Sequence, residues 1–158
     1  MIVRLFPFLI FLAAIGSGLM AGLFFTFSNS VMPALARMPG PQGITAMNHV
    51  NTVIQNPLFF ASFFGTALIS LFLLVGALLG WTPARGWVAA GALFYLVGCI
   101  VITVGVNVPM NNALAAVSTV TKEGADLWAT YLDRWVFWNN IRAIACTAAL
   151  MAFIVAQM

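Results

Sequence analysis

The sequence predicts an all-α integral membrane protein: a four-helix bundle with two short amphipathic helices in the 1-2 and 3-4 connections. Three observations predict it. First, 63% of the residues are hydrophobic and 6% are charged, whereas soluble domains carry about 25% charged residues; such a chain cannot cover a water-facing surface. Second, four segments supply the ~20 apolar residues that a hydrocarbon core of about 30 Å requires. Third, backbone polar groups in lipid must be paired within the segment, which makes those segments helices packed as a bundle. The 158 residues leave room for a single transmembrane domain, 1–158, without a separate soluble domain.

The first helix is expected over about 5–29. Its start, "MIVRLFPFLIFLAAIGSGLMAG", has the early arginine and small residues of a signal peptide. The apolar run continues to Phe27, however, beyond the ~7–15 residues of a signal h-region, so it reads as a retained span. The first long connection, "SVMPALARMPGPQGITAMNHVNTVIQN", contains Ile44, Met47, Val50 and Ile54 at helical spacing, which predicts a short amphipathic helix. Asn56-Pro57 then opens the second helix, about 57–79, with proline at its tolerated first position. A tight "GWTPARG" turn follows, its Trp81 and Trp87 suited to the interface belt. The third helix is expected over about 86–107. In the second long connection Leu127, Trp128, Tyr131 and Leu132 predict the other amphipathic helix, and the fourth span follows over about 134–156.

Both long connections of a four-span bundle fall on one side of the membrane, so the unusual polar residues gather at one end. The connections resemble each other: each follows a helix closing on Asn and then Pro (Asn29 and Pro33; Asn107 and Pro109), which suggests a loose two-plus-two repeat. Arg4 and Arg85 mark one side and Arg37, Lys122 and Arg134 the other. The short segments around Arg4 and Arg85 weigh toward cytoplasmic termini in a multi-pass protein of the cell membrane.

Composition also excludes functions. A net charge of +3 from nine charged groups forms no basic cluster for a nucleic acid. Cys99 and Cys146 sit in apolar runs outside any metal-ligand spacing, and one histidine cannot build a multi-histidine metal site. The expected partner is an apolar aromatic small molecule or a lipid, within the membrane; self-association is left open. No polar stripe crosses the bilayer, which disfavours a channel or transporter.

The candidate site residues lie at the polar end. Arg142 is two turns into the fourth helix, where a guanidinium costs about 2.5–3.5 kcal/mol unless it is paired or reaches the interface. Trp135, Trp138, Asn139, Arg142 and Cys146 share its helical face. Asn107, Asn111 and Asn112 surround Pro109, which lacks a backbone donor and frees a carbonyl near Gly105. Amides do not exchange protons near neutral pH; they would orient a substrate and stabilise charge on it. His49, among Asn48, Asn51 and Asn56, is the one side chain that titrates near neutrality. It reads either as a surface residue or as a general base, with Asp133 as a second base, or as a single axial haem ligand. Trp138 reads as the wall of a flat pocket.

The ordered series "GLFFTFSNSVMPAL", "NPLFFASFFGTAL", "VNVPMNNALA" and "LWATYLDRWVFWNNIR" resembles the anthrone-oxygenase-like family of small four-span membrane proteins, long catalogued as a domain of unknown function. The resemblance covers nearly the whole chain. It implies oxidation of polyketide anthrones to anthraquinones with molecular oxygen, an activity linked to fungal and actinobacterial members. The family residues fall here on Asn56 and Pro57, on Asn107, Pro109, Asn111 and Asn112, and on Trp135, Trp138, Asn139 and Arg142. Many members carry histidine directly after the Trp-Asn pair, where this chain has Asn140; chemistry that needs that histidine would be either missing here or supplied by His49 from the opposing connection.

The first functional expectation is therefore an oxygenase for a flat phenolic substrate that works without metal or flavin. Arg142, Asn107, Asn111 and His49 would carry the chemistry, and Trp138, Asn139, Asn112, Asn56 and Trp135 would bind the substrate. A non-catalytic module holding haem, quinone or lipid is the second, and a scaffold subunit whose polar cluster only locks the helices is the third.

Overall fold

Inside lipid a backbone can pair only with itself, and this chain is helical nearly throughout. A computed structural model describes residues 2–158, with side chains from Leu5 onward; the Arg4 side chain, used above for orientation, lies outside the described residues. The elements are α1 (Ile2–Thr26), a π-helical segment (Phe27–Val31), α2 (Met32–Ala36), α3 (Gly40–Val53), α4 (Pro57–Leu78) and α5 (Arg85–Tyr95), then two further π segments (Leu96–Val101 and Thr103–Asn107), α6 (Val108–Ala116) and α7 (Lys122–Val155). They join into four spans long and apolar enough to cross a membrane: Leu5–Ala36, Pro57–Leu78, Arg85–Ala116 and Lys122–Val155. The protein is an all-α, multi-pass membrane bundle.

Each span packs on its neighbours in sequence, and the fourth closes against the first. Close approach depends on glycine at the crossings. A Cβ at Gly16 would overlap the Thr66 side chain, and one at Gly98 would overlap Ala145; no larger residue lets those backbones meet at this distance. The bundle core is built from Phe6, Ile10, Leu73, Tyr95, Cys146 and Phe153. The outer surface is the reverse, with Leu68, Leu78 and Ile144 each about 70% exposed or more, as lipid contact requires. The Tyr95 hydroxyl donates to the Phe63 carbonyl (3.0 Å), tying the second and third spans together.

The ends of the second span are set by local chemistry. Asn56 caps α4, its side chain accepting from the Phe59 N–H (3.0 Å), with Pro57 at the first helical position, where a missing donor costs nothing. At the other end Gly80 takes φ +75°. Trp81 N–H then reaches Gly76 C=O and Gly80 N–H reaches Ala77 C=O, the paired bonds of a Schellman cap that only glycine enters without strain.

Three spans run well past the bilayer. The 34 residues of α7 measure about 51 Å at 1.5 Å per residue, against a hydrocarbon core of about 30 Å. The excess of spans one, three and four lies on the same side, and α3 packs across it against α2, α6 and α7. A second apolar cluster fills this cap, with Met32, Ile44, Met47, Leu114, Trp128 and Tyr131 at its centre.

Two boundaries differ from the sequence reading for one reason. The first and third spans continue through Pro33 and Pro109 instead of stopping before them. Each proline is preceded by a π turn, in which Met32 N–H reaches Phe27 C=O and Val108 N–H reaches Thr103 C=O. The wider turn accommodates the ring and its absent donor, so the helix bends its hydrogen-bond ladder rather than breaking it. The amphipathic stretch expected in the 3-4 connection is likewise no separate helix. Thr121 caps a helix that runs unbroken from Lys122, because "ADLWATYLD" and the span behind it keep their apolar residues on one continuous face. The short helix of that connection is α6, the prolongation of the third span.

Candidate functional site: a cation-lined cavity at the capped end

The site is organised by one face of α7. Trp128, Tyr131, Trp135, Asn139, Arg142 and Cys146 follow each other at steps of three or four and are all buried. The first three stack as a ladder: Trp128 on Tyr131 and Tyr131 on Trp135, each at 5.7 Å between centroids and 18° between planes. Deeper along the same face sits Arg142, 5% exposed. Its guanidinium lies 4.2 Å from the Phe24 ring centroid and 5.4 Å from that of Trp135, within cation–π range.

Two amides act differently around this face. Asn139 is fully engaged: its NH₂ donates to the Phe24 carbonyl and to Ser28 Oγ, both at 2.7 Å, and its Oδ1 accepts from Arg142 Nη2 at 2.7 Å. It therefore anchors the arginine to the first span, and it has no donor left for a ligand. Asn111 is half engaged. Its Oδ1 accepts from Tyr131 OH (2.7 Å) and from Trp135 Nε1 (2.8 Å). An indole N–H can only donate, which settles which amide atom faces it and leaves the Asn111 NH₂ free.

Arg142 is partly satisfied. Nη1 donates to Thr103 Oγ1 (3.0 Å) and Nη2 to Asn139, while buried Nε has no partner. Two of the five guanidinium N–H donors are thus used. Among the described residues the one ion pair is Lys122–Asp126 on the surface, and Arg142 meets no carboxylate.

These groups face a cavity of about 290 Å³. Its deep end is Arg142, Asn139 and Thr103, its upper rim Asn51 of α3 and Gln55 just beyond it with Asn111 and Asn112 of α6, and its walls Phe24, Phe27, Phe59, Phe63 and Trp135. Phe60, Phe64, Val104 and Val108 both line the cavity and are exposed on the bundle surface. There α4 packs along α5 and Leu96–Val101 but makes no extensive contact with Thr103–Ala116. The seam between the second and third spans therefore opens at the capped end, toward lipid.

The candidate residues divide accordingly. Arg142, Asn111, Asn112, Asn139 and Trp135 line the cavity. Asn107 is buried behind it, donating to the Trp135 carbonyl (3.3 Å) with its Oδ1 unpartnered. Asn107 and Asn111 therefore engage the aromatic ladder and its backbone, and the third-span partner of Arg142 is Thr103. Trp138 does not line this cavity. Three residues after Trp135 it has turned about 60° out of the buried face, onto an outer groove with Gly105, Pro109 and Arg134. Asn56 is exposed and spends its side chain on the α4 cap.

His49 is also placed elsewhere. The buried face of α3 is Gly43, Ile44 and Met47, and a residue two beyond Met47 lies about 200° around the helix, on the exposed side. Asp133 and Asn140 are exposed as well, so a histidine at position 140 would point away from the cavity. Haem does not fit the residues present: the chain's one imidazole lies outside, and the cavity lining holds no thiol, thioether or carboxylate. Among the described residues no group of three or more His, Cys, Asp or Glu gathers that could hold a metal ion.

Several site residues carry weak sequence signals. Thr103 was findable, four residues before Asn107 and hence on the same helical face. Tyr131 was visible only as one member of an apolar stripe. Phe24 and Ser28 come from a span that gave no indication of which face turns inward.

A bundle of four apolar spans, with one buried arginine in an aromatic cavity between the second and third, defines a multi-pass helical membrane protein. The chain belongs to the anthrone oxygenase family, whose model matches residues 58–152. That region contains Thr103, Asn111, Trp135, Asn139 and Arg142; Phe24, Ser28 and Asn51 lie outside it. No curated protein and no solved structure matches the chain.

Proposed function

We propose that the protein oxidises a flat, phenolic, membrane-soluble substrate of the anthrone type with molecular oxygen, in the cavity under α3. The observation that carries this reading is Arg142: a buried cation without a carboxylate, holding unused donors toward an aromatic slot.

The chemistry asks little of a protein beyond positioning and charge. Loss of a proton from the substrate methylene gives an enolate whose oxygen carries the negative charge. Arg142 and the Asn111 NH₂ would hold that oxygen, and preorganised donors of this kind are worth about 2.7–4 kcal/mol each in transition-state stabilisation. The enolate passes one electron to oxygen, and recombination of the radical pair forms a C–O bond to a peroxide. Loss of the remaining C–H proton with cleavage of the O–O bond yields the ketone and, after protonation, one water. The methylene is oxidised by four electrons and dioxygen is reduced by four, one oxygen atom going to each product. Phe24, Phe59, Phe63 and Trp135 would sandwich the ring system, while Asn112, Asn51 and Gln55 would meet polar groups at its outer edge. Asn139 and Thr103 are positioning residues that aim the guanidinium.

Incubating the detergent-purified protein with an anthrone and oxygen tests the proposal. Quinone should form faster than in empty micelles, and Arg142→Gln should return the rate to the spontaneous one. No rate above the spontaneous oxidation in the wild-type protein would overturn it. A second reading is favoured by the lining itself, which holds donors but no side chain of general-base character: a module that binds a quinone-like molecule without turning it over. Saturable binding with no oxygen uptake would establish it.

A further inference from the structure

We infer that the cavity is an anion receptor: it takes its aromatic ligand as an oxygen anion, and the ligand itself supplies the counter-charge to Arg142. This rests on the reading of the cavity as the substrate site, and it assigns the form in which the substrate is held.

The charge inventory of the lining is one-sided. Arg142 is the sole charged residue in it, and the others are apolar, aromatic, amide or hydroxyl. A lone guanidinium buried to 5% exposure is an expensive arrangement, because a buried charge is normally paired. Its engaged partners, Thr103 Oγ1 and Asn139 Oδ1, are both neutral. The titratable groups around it are two thiols and a phenol, Cys99 from the third span and Cys146 and Tyr131 from α7, and none is a carboxylate. Phe24 covers it from the first span with a ring. No element packed around the arginine brings an acid to it.

The hydrogen-bond inventory leans the same way. Tyr131 and Trp135 occupy the Asn111 acceptor and turn its donor outward, and Asn139 spends its acceptor on Arg142. The free donors are therefore the Arg142 guanidinium at the deep end and the Asn111 NH₂ at the rim, which suit an oxygen acceptor and most of all a charged one. The expected ligands are phenolates, enolates and aromatic carboxylates, entering polar edge first. A proton lost on binding goes to water at the capped end, since His49 and Asp133 stand outside the cavity and the lining holds no carboxylate or imidazole. Selection then acts on the acidity of the ligand: a ring system that cannot ionise should bind weakly, however well it fits the walls.

Two coloured probes test this in detergent: 2-hydroxyanthraquinone, whose ionised form absorbs at longer wavelength, and its O-methyl ether, which cannot ionise. In the visible range neither thiols nor tyrosine interfere. The bound hydroxy probe should ionise about one to three pH units below its value in empty micelles, the shift an adjacent opposite charge produces. The methyl ether should bind at least ~10-fold more weakly, about 1.4 kcal/mol. Arg142→Gln should abolish the shift and Arg142→Lys should keep part of it. A bound probe that ionises as in empty micelles, or a methyl ether that binds equally well, overturns the inference. Those two wild-type comparisons decide even if Arg142→Gln fails to fold. Turnover plays no part here, so a protein that ionises the probe but leaves an anthrone untouched sinks the oxygenase reading alone.

Discussion

At the Gly80 end of the bundle the second and third spans are joined by a tight capped turn, glycine lets helices touch, and the core is closed. At the opposite end the same two spans separate, three helices overrun the membrane, and polar side chains surround a cavity of about 290 Å³. What separates the two ends is the π turns before Pro33 and Pro109, which re-aim the helix ends, and the amides and arginine that then need partners. Unpartnered buried polar atoms occur along the whole bundle, Ser17 Oγ and Ser70 Oγ as well as Arg142 Nε and Asn107 Oδ1, but only at the open end do they gather around a cavity.

The contrast can be broken at either end. The largest effect is expected at the open end, where Arg142→Gln should lower turnover about 10²–10³-fold. Its thermal stability should change little, because relief of a buried cation offsets the bonds lost to Thr103 and Asn139. A collapse of the melting temperature without loss of ligand binding would instead make Arg142 a structural lock. At the closed end Gly91→Leu should do the opposite, destabilising the protein by about 1–3 kcal/mol through overpacking against Phe153. Thermal unfolding in detergent reads this, and an unchanged midpoint would show that the seam is looser than described.

Asn111→Ala sharpens the comparison, because it touches both properties. It strands the Tyr131 hydroxyl and Trp135 indole N–H, at a cost of about 1–3 kcal/mol, and removes one donor from the cavity. Both a lower melting temperature and weaker binding of the hydroxy probe are expected, whereas Asn112→Ala should move binding alone. A bulky substitution at the mouth, Val104→Trp, should raise KM several-fold with kcat kept; an unchanged KM would place the ligand's route elsewhere. The smallest effect belongs to His49→Ala. Turnover and its pH profile should stay within about twofold, and a loss of activity would return His49 to the chemistry.

The sequence by itself determined the four spans, their all-helical character, the gathering of polar residues at one end, and the α7 face that carries Trp135, Asn139 and Arg142. These follow from hydropathy and from the 3.6-residue period, which are properties of a single segment. Tertiary structure decided what each polar group does. Asn107, Asn111 and Asn112 are adjacent in sequence, yet one is buried behind the cavity, one has its acceptor fixed by a donor-only indole, and one stands at the rim. Trp138 and His49 carried promising chemistry but sit on faces turned away, and Thr103, Phe24 and Ser28 became Arg142's surroundings through contacts 39 to 118 residues apart in the chain, the last two held by Asn139 and the Arg142 ring contact. The physical reason is that helix rotation, set by packing against two neighbouring spans and re-aimed by the π turns, selects which of several equally polar faces meets the cavity. Local sequence does not encode that rotation.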